Sequence, residues 1–321
     1  MSAPRRPGGV LSAASVLGGG LGLLALAAVA AGPAASASPA AAARSGHARV
    51  ALRSASHPPP GILARQAEIY DLTHNERLWG RNIYTAAPIA SLTKVMTALV
   101  VIKAGDLDRH ITITKADENY LGCCIAGAGL IPGDVLTARQ LLYALLLPSG
   151  ADAARALAIA YGPGWHAFVR KMNATARALH LKRTHFTNFD GVKSTDVSSP
   201  RNLLLLGEAA MRHPVFKAIV GRRQYRVRST SRHHAYLWRN RNVLLGDYRG
   251  AIGIKTGWIP QAGECLLFEA VRSGRILIGV VLDSGEDPSV SHAFADATVL
   301  LNWGFGQHRA VPAGPDGIKA G

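Results

Sequence analysis

The order of the predicted strands and helices constrains the fold of this chain more than any other feature. Alternating apolar residues predict an opening strand over residues 66–72, with a hairpin partner over residues 77–79. Helical periodicity then predicts five helices, over residues 91–104, 137–147, 152–161, 165–179 and 201–212. Short apolar segments predict an antiparallel meander, followed by a last helix, over residues 224–229, 251–256, 265–271, 276–282 and 291–303. This succession is typical of an α+β fold, in which a helical cluster packs beside or across an antiparallel sheet.

The first 37 residues have the three-part layout of a secretory signal peptide. Arg5 and Arg6 precede an apolar run over residues 10–31, and the small residues Ala-Ser-Ala occupy positions 35–37. This layout predicts an exported protein from which residues 1–37 are removed. A retained membrane anchor is the alternative, because the apolar run approaches the roughly 20 residues that span a bilayer.

The chain is strongly basic. Its formal net charge is +16, and the predicted signal peptide carries two arginines and no acidic residue, so +14 would remain after cleavage. Such a charge indicates a polyanionic neighbour. For an exported protein we expect anionic wall polymer or lipid headgroups, not nucleic acid, even though seven arginines interleave with aromatic residues over positions 222–241. The alternative is that the charge only confers solubility.

Composition divides the rest of the chain into three parts. Residues 38–61 are rich in Ala, Ser, Arg and Pro and are predicted to form a disordered linker. Residues 62–308 are predicted to form the folded domain, and the tail over residues 309–321 is predicted to be unstructured. With 321 residues, 48% of them hydrophobic, the chain can bury a full core.

Cysteines and histidines give no sign of a metal site. Cys123, Cys124 and Cys265 are too few for a disulfide framework, although one of the vicinal pair could bridge to Cys265 in an oxidising compartment. Neither a C-x-x-C pair nor an H-E-x-x-H or H-x-H spacing is present. We therefore expect no metal and no cofactor.

A serine and a lysine three residues apart form the first candidate motif, Ser91-Leu92-Thr93-Lys94, at the start of a predicted helix. This spacing places the hydroxyl and the amine on one face of the helix. Lys94 could accept the serine proton if burial and nearby cations lower its pKa. The helix terminus also offers free N–H groups to a developing oxyanion. Taken alone, the motif is better explained by a capping serine and a solvated lysine, because S-x-x-K recurs by chance.

Two further motifs lie downstream. Ser149 and Gly150 follow an apolar helix, and the sequence Lys255-Thr256-Gly257 ends a predicted strand. Lysine and threonine on an edge strand can bind a carboxylate, and the glycine lets a substrate lie against the backbone. Each motif alone could be an ordinary loop or a turn at the end of a strand.

Together, the three motifs occur in the order and separation used by the penicillin-recognising serine enzymes. The chain resembles the low-molecular-mass D-alanyl-D-alanine carboxypeptidase family over nearly all of residues 64–303. The resemblance extends to several segments around the motifs, which include residues 88–98, 132–134, 141–143, 184–188, 240–242 and 262–263. It implies the penicillin-binding-protein/β-lactamase-like transpeptidase fold, with residues 62–308 as the catalytic domain.

The resemblance also implies a role for each motif residue. Ser91 would be the nucleophile that is acylated by a peptidoglycan stem peptide, Lys94 its base, and Ser149 a proton relay to the leaving D-alanine. Lys255 and Thr256 would hold the terminal carboxylate beside Gly257. The N–H groups of Ser91 and Trp258 would form the oxyanion hole. β-Lactams would acylate Ser91 and leave slowly.

The second motif departs from the family pattern of Ser-x-Asn, because position 151 is alanine. The lost amide contact could cost on the order of 1 to 4 kcal/mol in the transition state. Asp152 differs in charge and position, so we do not expect it to compensate. The alternatives are therefore a weak or inactive wall-binding protein, or an endopeptidase or β-lactamase on the same fold.

Overall fold

The structure is a computed structural model that describes residues 57–121, 125–285 and 291–307. The predicted signal peptide, most of the predicted linker, Cys123, Cys124 and the predicted tail lie outside these residues. The predictions made for those segments therefore remain predictions.

Nine helices are present in the described part of the chain. They are α1 Thr93–Ala104, α2 Lys115–Asn119, α3 Ala138–Leu146, α4 Ala151–Tyr161, α5 Trp165–Ala178, α6 Pro200–Met211, α7 Pro214–Val220, α8 Leu244–Asp247 and α9 His292–Gly306. All six predicted helices are confirmed within a few residues, whereas the three shortest, α2, α7 and α8, were not predicted.

Eleven strands accompany these helices within the same residues. They are β1 Gln66–Asp71, β2 Glu76–Arg81, β3 Ala87–Pro88, β4 His110–Thr112, β5 Val135–Thr137, β6 Val197–Ser198, β7 Gln224–Val227, β8 Tyr236–Arg239, β9 Ala251–Ile259, β10 Gly263–Arg272 and β11 Arg275–Leu282. The opening hairpin and the three later strands of the predicted meander are confirmed.

The main sheet has five strands in the order β2-β1-β11-β10-β9. All neighbouring strands in this sheet are antiparallel. The opening hairpin joins the meander through the pairing of β1 with β11. The assignment of residues 224–229 to this meander was wrong. Strand β7 pairs instead with β8 in a separate hairpin, because alternation of apolar residues identifies a strand but not its partner.

Helices cover both faces of the main sheet. On one face, Leu266 and Phe268 of β10 pack with Leu300 and Leu301 of α9. On the other face, Leu267 joins the large core that contains the helical cluster. Successive residues of a strand point to opposite faces, so β10 contributes to both cores and is apolar over residues 265–268. This three-layer arrangement is the predicted α+β architecture.

Helix α1 lies at the centre of the helical cluster. Its residues 93–101 are all buried, so no solvent-facing stripe runs along it. The helix ends at Gly105, whose positive φ of 75° is a conformation that glycine adopts readily. The residues at its beginning are therefore held by a fully packed element.

No helix among the described residues is both long enough and apolar enough to cross a membrane.

A buried acid on β10 gives the fold a testable dependence on pH. Burial raises the pKa of Glu269 to about 7; the charge of Lys217 opposes this rise, and the charge of Glu208 adds to it. Its Oε2 atom has no hydrogen-bond partner among the described residues. Because the pKa is raised in the folded state, the stabilisation is complete below 4.5 and is lost as the pH rises through about 7.

We therefore expect Glu269→Gln to remove this loss. Between pH 5 and pH 8, the free energy of unfolding of the wild-type protein should fall by about 2 kcal/mol more than that of the variant. Urea denaturation at the two pH values measures the difference. Equal pH dependence in the two proteins would contradict the assignment.

Candidate active site

Ser91 lies on a single turn of 3-10 helix, Ala90–Leu92, that leads directly into α1. Ala90, the residue before Ser91 in this turn, has a φ of 48°, in the left-handed region that non-glycine residues rarely adopt. Such strain persists only where the surrounding structure enforces it. The amide of Ile89 donates to the Asp196 carbonyl at 3.2 Å, which fixes the beginning of the turn.

Lys94 is completely buried and contacts Ser91. Its Nζ lies 3.0 Å from Ser91 Oγ, as the spacing of three residues predicts, and donates to the Asp190 carbonyl at 2.7 Å. Desolvation lowers the pKa of Lys94, and Arg241 adds to this effect, although the carboxyl groups of Asp190, Asp152 and Asp196 oppose it. A lysine with a lowered pKa more readily presents the neutral amine that can accept a hydroxyl proton.

The loop over residues 187–197 holds the beginning of α1. Thr93 Oγ1 donates to Asp196 Oδ2 at 3.3 Å, and Thr97 Oγ1 donates to the Phe189 carbonyl at 2.6 Å. The other oxygen of Asp196 accepts the amides of Thr187 and Asn188, at 2.7 and 3.0 Å. One buried carboxylate thus connects the loop to the helix that carries the serine and the lysine.

Ser149 lies between α3 and α4 in a strained backbone conformation, with a φ of 70°. Its side chain is buried, and its Oγ has no hydrogen-bond partner among the described residues. A buried hydroxyl without a partner costs free energy, which indicates that it is kept for a bound group. Ser149 lines the same cavity as Ser91 and Lys94.

Asp152 does not take the place of the missing amide at position 151. Its carboxylate accepts the backbone amides of Ala128, Leu130 and Ala153, at 2.9, 3.2 and 2.8 Å. Three such bonds fix the carboxylate on the neighbouring loop, and Asp152 does not line the cavity. The side chain at position 151 is buried and does not line it either.

Strand β9 is an edge strand of the main sheet and forms one wall of the site. Thr256, Gly257 and Trp258 line the cavity, and Trp258 is 41% exposed at its rim. Lys255 lies behind this wall, buried, with its Nζ donating to the Thr256 carbonyl at 2.8 Å. Desolvation, together with the charges of Lys94 and Arg241, holds the pKa of Lys255 well below its ordinary value.

Gly257 has a second role that sequence analysis missed. A Cβ at this position would lie 3.1 Å from the Ser91 amide nitrogen and 3.2 Å from Ala90 Cβ. The glycine therefore lets the edge strand pack directly against the turn that carries Ser91. It sets the distance between the serine and the strand.

The motif residues meet around one open cavity of about 500 Å³. Six of them line it, namely Ser91, Lys94, Ser149, Thr256, Gly257 and Trp258, whereas Lys255 does not. Sequence analysis missed Arg241 and the segment at Gly191 and Val192, which also line it. Arg241 is exposed and makes no ion pair among the described residues. The family resemblance included residues 240–242, but gave no signal that Arg241 reaches the cavity.

Within the described ranges, no group of three or more His, Cys, Asp or Glu side chains could hold a metal. Cys265 is buried and unpaired among the described residues, and its predicted partners lie outside them.

Known proteins resemble this chain over most of its length. A family model described as D-alanyl-D-alanine carboxypeptidase matches residues 53–286. A D-alanyl-D-alanine carboxypeptidase of Streptomyces sp. (strain K15) is 41% identical over 245 residues, which cover 70% of this chain and 83% of that protein. The D-alanyl-D-alanine carboxypeptidase DacB2 of Mycobacterium tuberculosis is 36% identical over 258 residues, with coverages of 78% and 85%.

A solved structure agrees with these matches. The crystal structure of the Streptomyces K15 DD-transpeptidase superposes with a TM-score of 0.73 at 38% sequence identity, covering 78% of this chain and all of that one.

Gly191 tests whether the 187–197 loop positions Lys94. A Cβ on Gly191 would lie 1.8 Å from the Ala90 carbonyl oxygen, and its φ of 80° already disfavours other residues. We expect Gly191→Ala to separate the loop from the Ser91 turn, and to slow acylation of Ser91 by penicillin more than tenfold.

Gly133→Ala is the matched control, because Gly133 has a φ of 93° but open space around its Cα. It should cost only the backbone term of about 1 kcal/mol and leave acylation unchanged. Thermal unfolding and acylation rates distinguish the two variants, and equal behaviour would refute the role of the loop.

Proposed function

The chain belongs to the D-alanyl-D-alanine carboxypeptidase family, and we propose that it removes the terminal D-alanine from peptidoglycan stem peptides through an acyl-enzyme on Ser91. The observation that carries this proposal is the buried Lys94 amine 3.0 Å from the Ser91 hydroxyl. Ser149, whose hydroxyl has no hydrogen-bond partner among the described residues, lines the same cavity. The reaction needs no cofactor.

Acylation begins with Ser91 Oγ attacking the carbonyl carbon of the last peptide bond while its proton passes to neutral Lys94. The amides of Ser91 and Trp258 stabilise the oxyanion, since donors placed where charge develops contribute most to such reactions. The tetrahedral intermediate collapses to an ester on Ser91, and the C–N bond breaks. Ser149 relays a proton from Lys94 to the leaving amine of D-alanine.

Deacylation repeats these steps with water as the nucleophile. Lys94 accepts a proton of the water, the ester bond breaks, and Ser91 regains its hydrogen. The shortened stem peptide leaves with a new terminal carboxylate. A β-lactam acylates Ser91 in the same way but leaves slowly, which accounts for penicillin binding.

The terminal carboxylate of the substrate is held at the edge of β9. Thr256 contacts it from the cavity wall, Gly257 leaves room for the peptide, and Lys255 supplies positive charge from beneath the strand. Because the pKa of Lys255 is held well below its ordinary value, an arriving carboxylate favours uptake of a proton there. Carboxylate binding and charging of Lys255 are therefore coupled.

The protein acts outside the cytoplasm in this proposal, since stem peptides of the wall are its substrates. The layout of residues 1–37 supports export with cleavage, or retention of that segment as an anchor. The high positive charge supports association with anionic wall polymer and not with nucleic acid.

Ser91 and Ser149 provide the direct test. The wild-type protein should bind a fluorescent penicillin covalently and release D-alanine from a stem peptide ending in D-alanyl-D-alanine. Ser91→Ala should abolish both signals, and Ser149→Ala should lower both by about 10²- to 10⁴-fold through loss of proton transfer. Ser229→Ala, an exposed change on the β7–β8 hairpin, is the matched control and should leave both unchanged.

The alternatives give different results in the same assay. Labelling without D-alanine release would indicate an endopeptidase or a very slow enzyme, and rapid loss of the label would indicate a β-lactamase. Absence of both signals would indicate a wall-binding protein without activity. Any of these results would overturn the proposal.

A further inference from the structure

The β7–β8 hairpin presents an unusually basic surface outside the active site. No acidic residue occurs in the sequence between Glu208 and Asp247, and seven arginines lie between positions 222 and 241. Within the described residues, none of these arginines forms a salt bridge. Their charges are therefore not neutralised within this part of the protein.

Aromatic residues anchor one face of the hairpin to the helical cluster. Tyr225 stacks on Tyr143 of α3 with ring centroids 3.7 Å apart, and Tyr236 stacks on Trp238 at 5.2 Å. The indole N–H of Trp238 donates to the Ala128 carbonyl at 2.9 Å. The hairpin is thus a rigid platform with a fixed inner face.

The other face points to solvent and carries the arginines. Arg226 and Arg239 lie on this exposed face, and Arg228 continues it beyond the end of β7. Outward side chains of a strand repeat about every 7 Å, so these charges form a regular row. Beyond the end of β8, Arg241 continues toward the active-site cavity, which it lines.

A second cavity, of about 310 Å³, lies at the turn of the hairpin, and polar groups that suit an anion line it. They include Thr230, Ser231, Arg232, His233 and His110. The acidic group nearby, Asp134, already accepts hydrogen bonds from Tyr236 and His234. Arg232 lines the cavity and forms no salt bridge among the described residues.

We propose that the exposed face of the β7–β8 hairpin docks a linear phosphodiester polymer, with one end of the polymer in the cavity at the hairpin turn. Guanidinium groups bind phosphate with paired hydrogen bonds, and a row of them matches a chain with one charge per repeat. The proposal rests on the proposed function only for the location of the protein outside the cytoplasm. Docking would hold the enzyme on the wall with its active site beside the polymer.

A membrane surface fits this face less well than a polymer. Lipid-binding faces add several exposed apolar side chains to their basic residues. On the outward face of the hairpin, the exposed large apolar side chain is Leu237, at 41% exposure. Anionic lipid is therefore an outcome of the test and not part of the proposal.

The test compares two triple variants of the full chain that remove the same charge. Arg226→Gln, Arg228→Gln and Arg239→Gln change the hairpin, whereas Arg170→Gln, Arg177→Gln and Arg183→Gln change exposed arginines in and after α5. The probe is fluorescently labelled poly(glycerol phosphate), with binding followed by anisotropy at several salt concentrations.

We expect the hairpin variant to bind the polymer at least about tenfold more weakly. In a plot of log affinity against log salt concentration, the slope for this variant should be shallower by about 2, because three phosphate contacts are lost. The control variant should change affinity less than threefold. Acylation by penicillin should be unchanged in both, which separates this proposal from the proposed function.

Two results would overturn the proposal. Equal weakening in both triple variants would mean that only net charge matters. Tight binding of the wild-type protein to phosphatidylglycerol vesicles, with none to poly(glycerol phosphate), would mean that the face binds lipid.

Discussion

The burial of the Lys94 amine against the 187–197 loop is the interaction on which the rest of the site depends. Lys94 Nζ donates a hydrogen bond of 2.7 Å to the Asp190 carbonyl oxygen and lies 3.0 Å from Ser91 Oγ. An uncompensated buried charge is costly, so burial favours the neutral amine. The same loop holds Thr93 through Asp196 and approaches the Ser91 turn at Gly191. The folded 187–197 loop is therefore what buries the Lys94 amine and favours its neutral form.

Packing brings the three motifs to a common cavity from three different parts of the fold. Helix α1 supplies the serine and lysine from the helical cluster, the α3–α4 connection supplies Ser149, and the edge strand β9 supplies Thr256 and Trp258. Gly257 lets that strand contact the Ser91 turn. Rigid elements thus position each reacting group, which is the condition for oriented, preorganised catalysis. The helix and the sheet edge must both be in place before the site exists.

Local patterns predicted the parts of the structure that depend on local spacing. The distance between Ser91 and Lys94 follows from helical periodicity, and the strands and long helices follow from apolar alternation. Contacts between distant segments were not predictable in this way: the Asp190 carbonyl, the approach of Arg241 and the fixed carboxylate of Asp152 all depend on loop conformation. The misassigned partner of β7 has the same origin, since a strand sequence does not specify its neighbour.

The central claim is that Lys94 is poised to act as a neutral base, and titration of its amine tests this most directly. The measurement is ¹⁵N NMR of lysine-labelled protein, with the Lys94 signal assigned by its loss in Lys94→Arg. Since desolvation lowers the pKa of Lys94, we expect a titration midpoint below 10.5 in the folded protein. A midpoint at or above 10.5 would mean that the nearby carboxyl groups outweigh burial, and would contradict the role of Lys94 as the base.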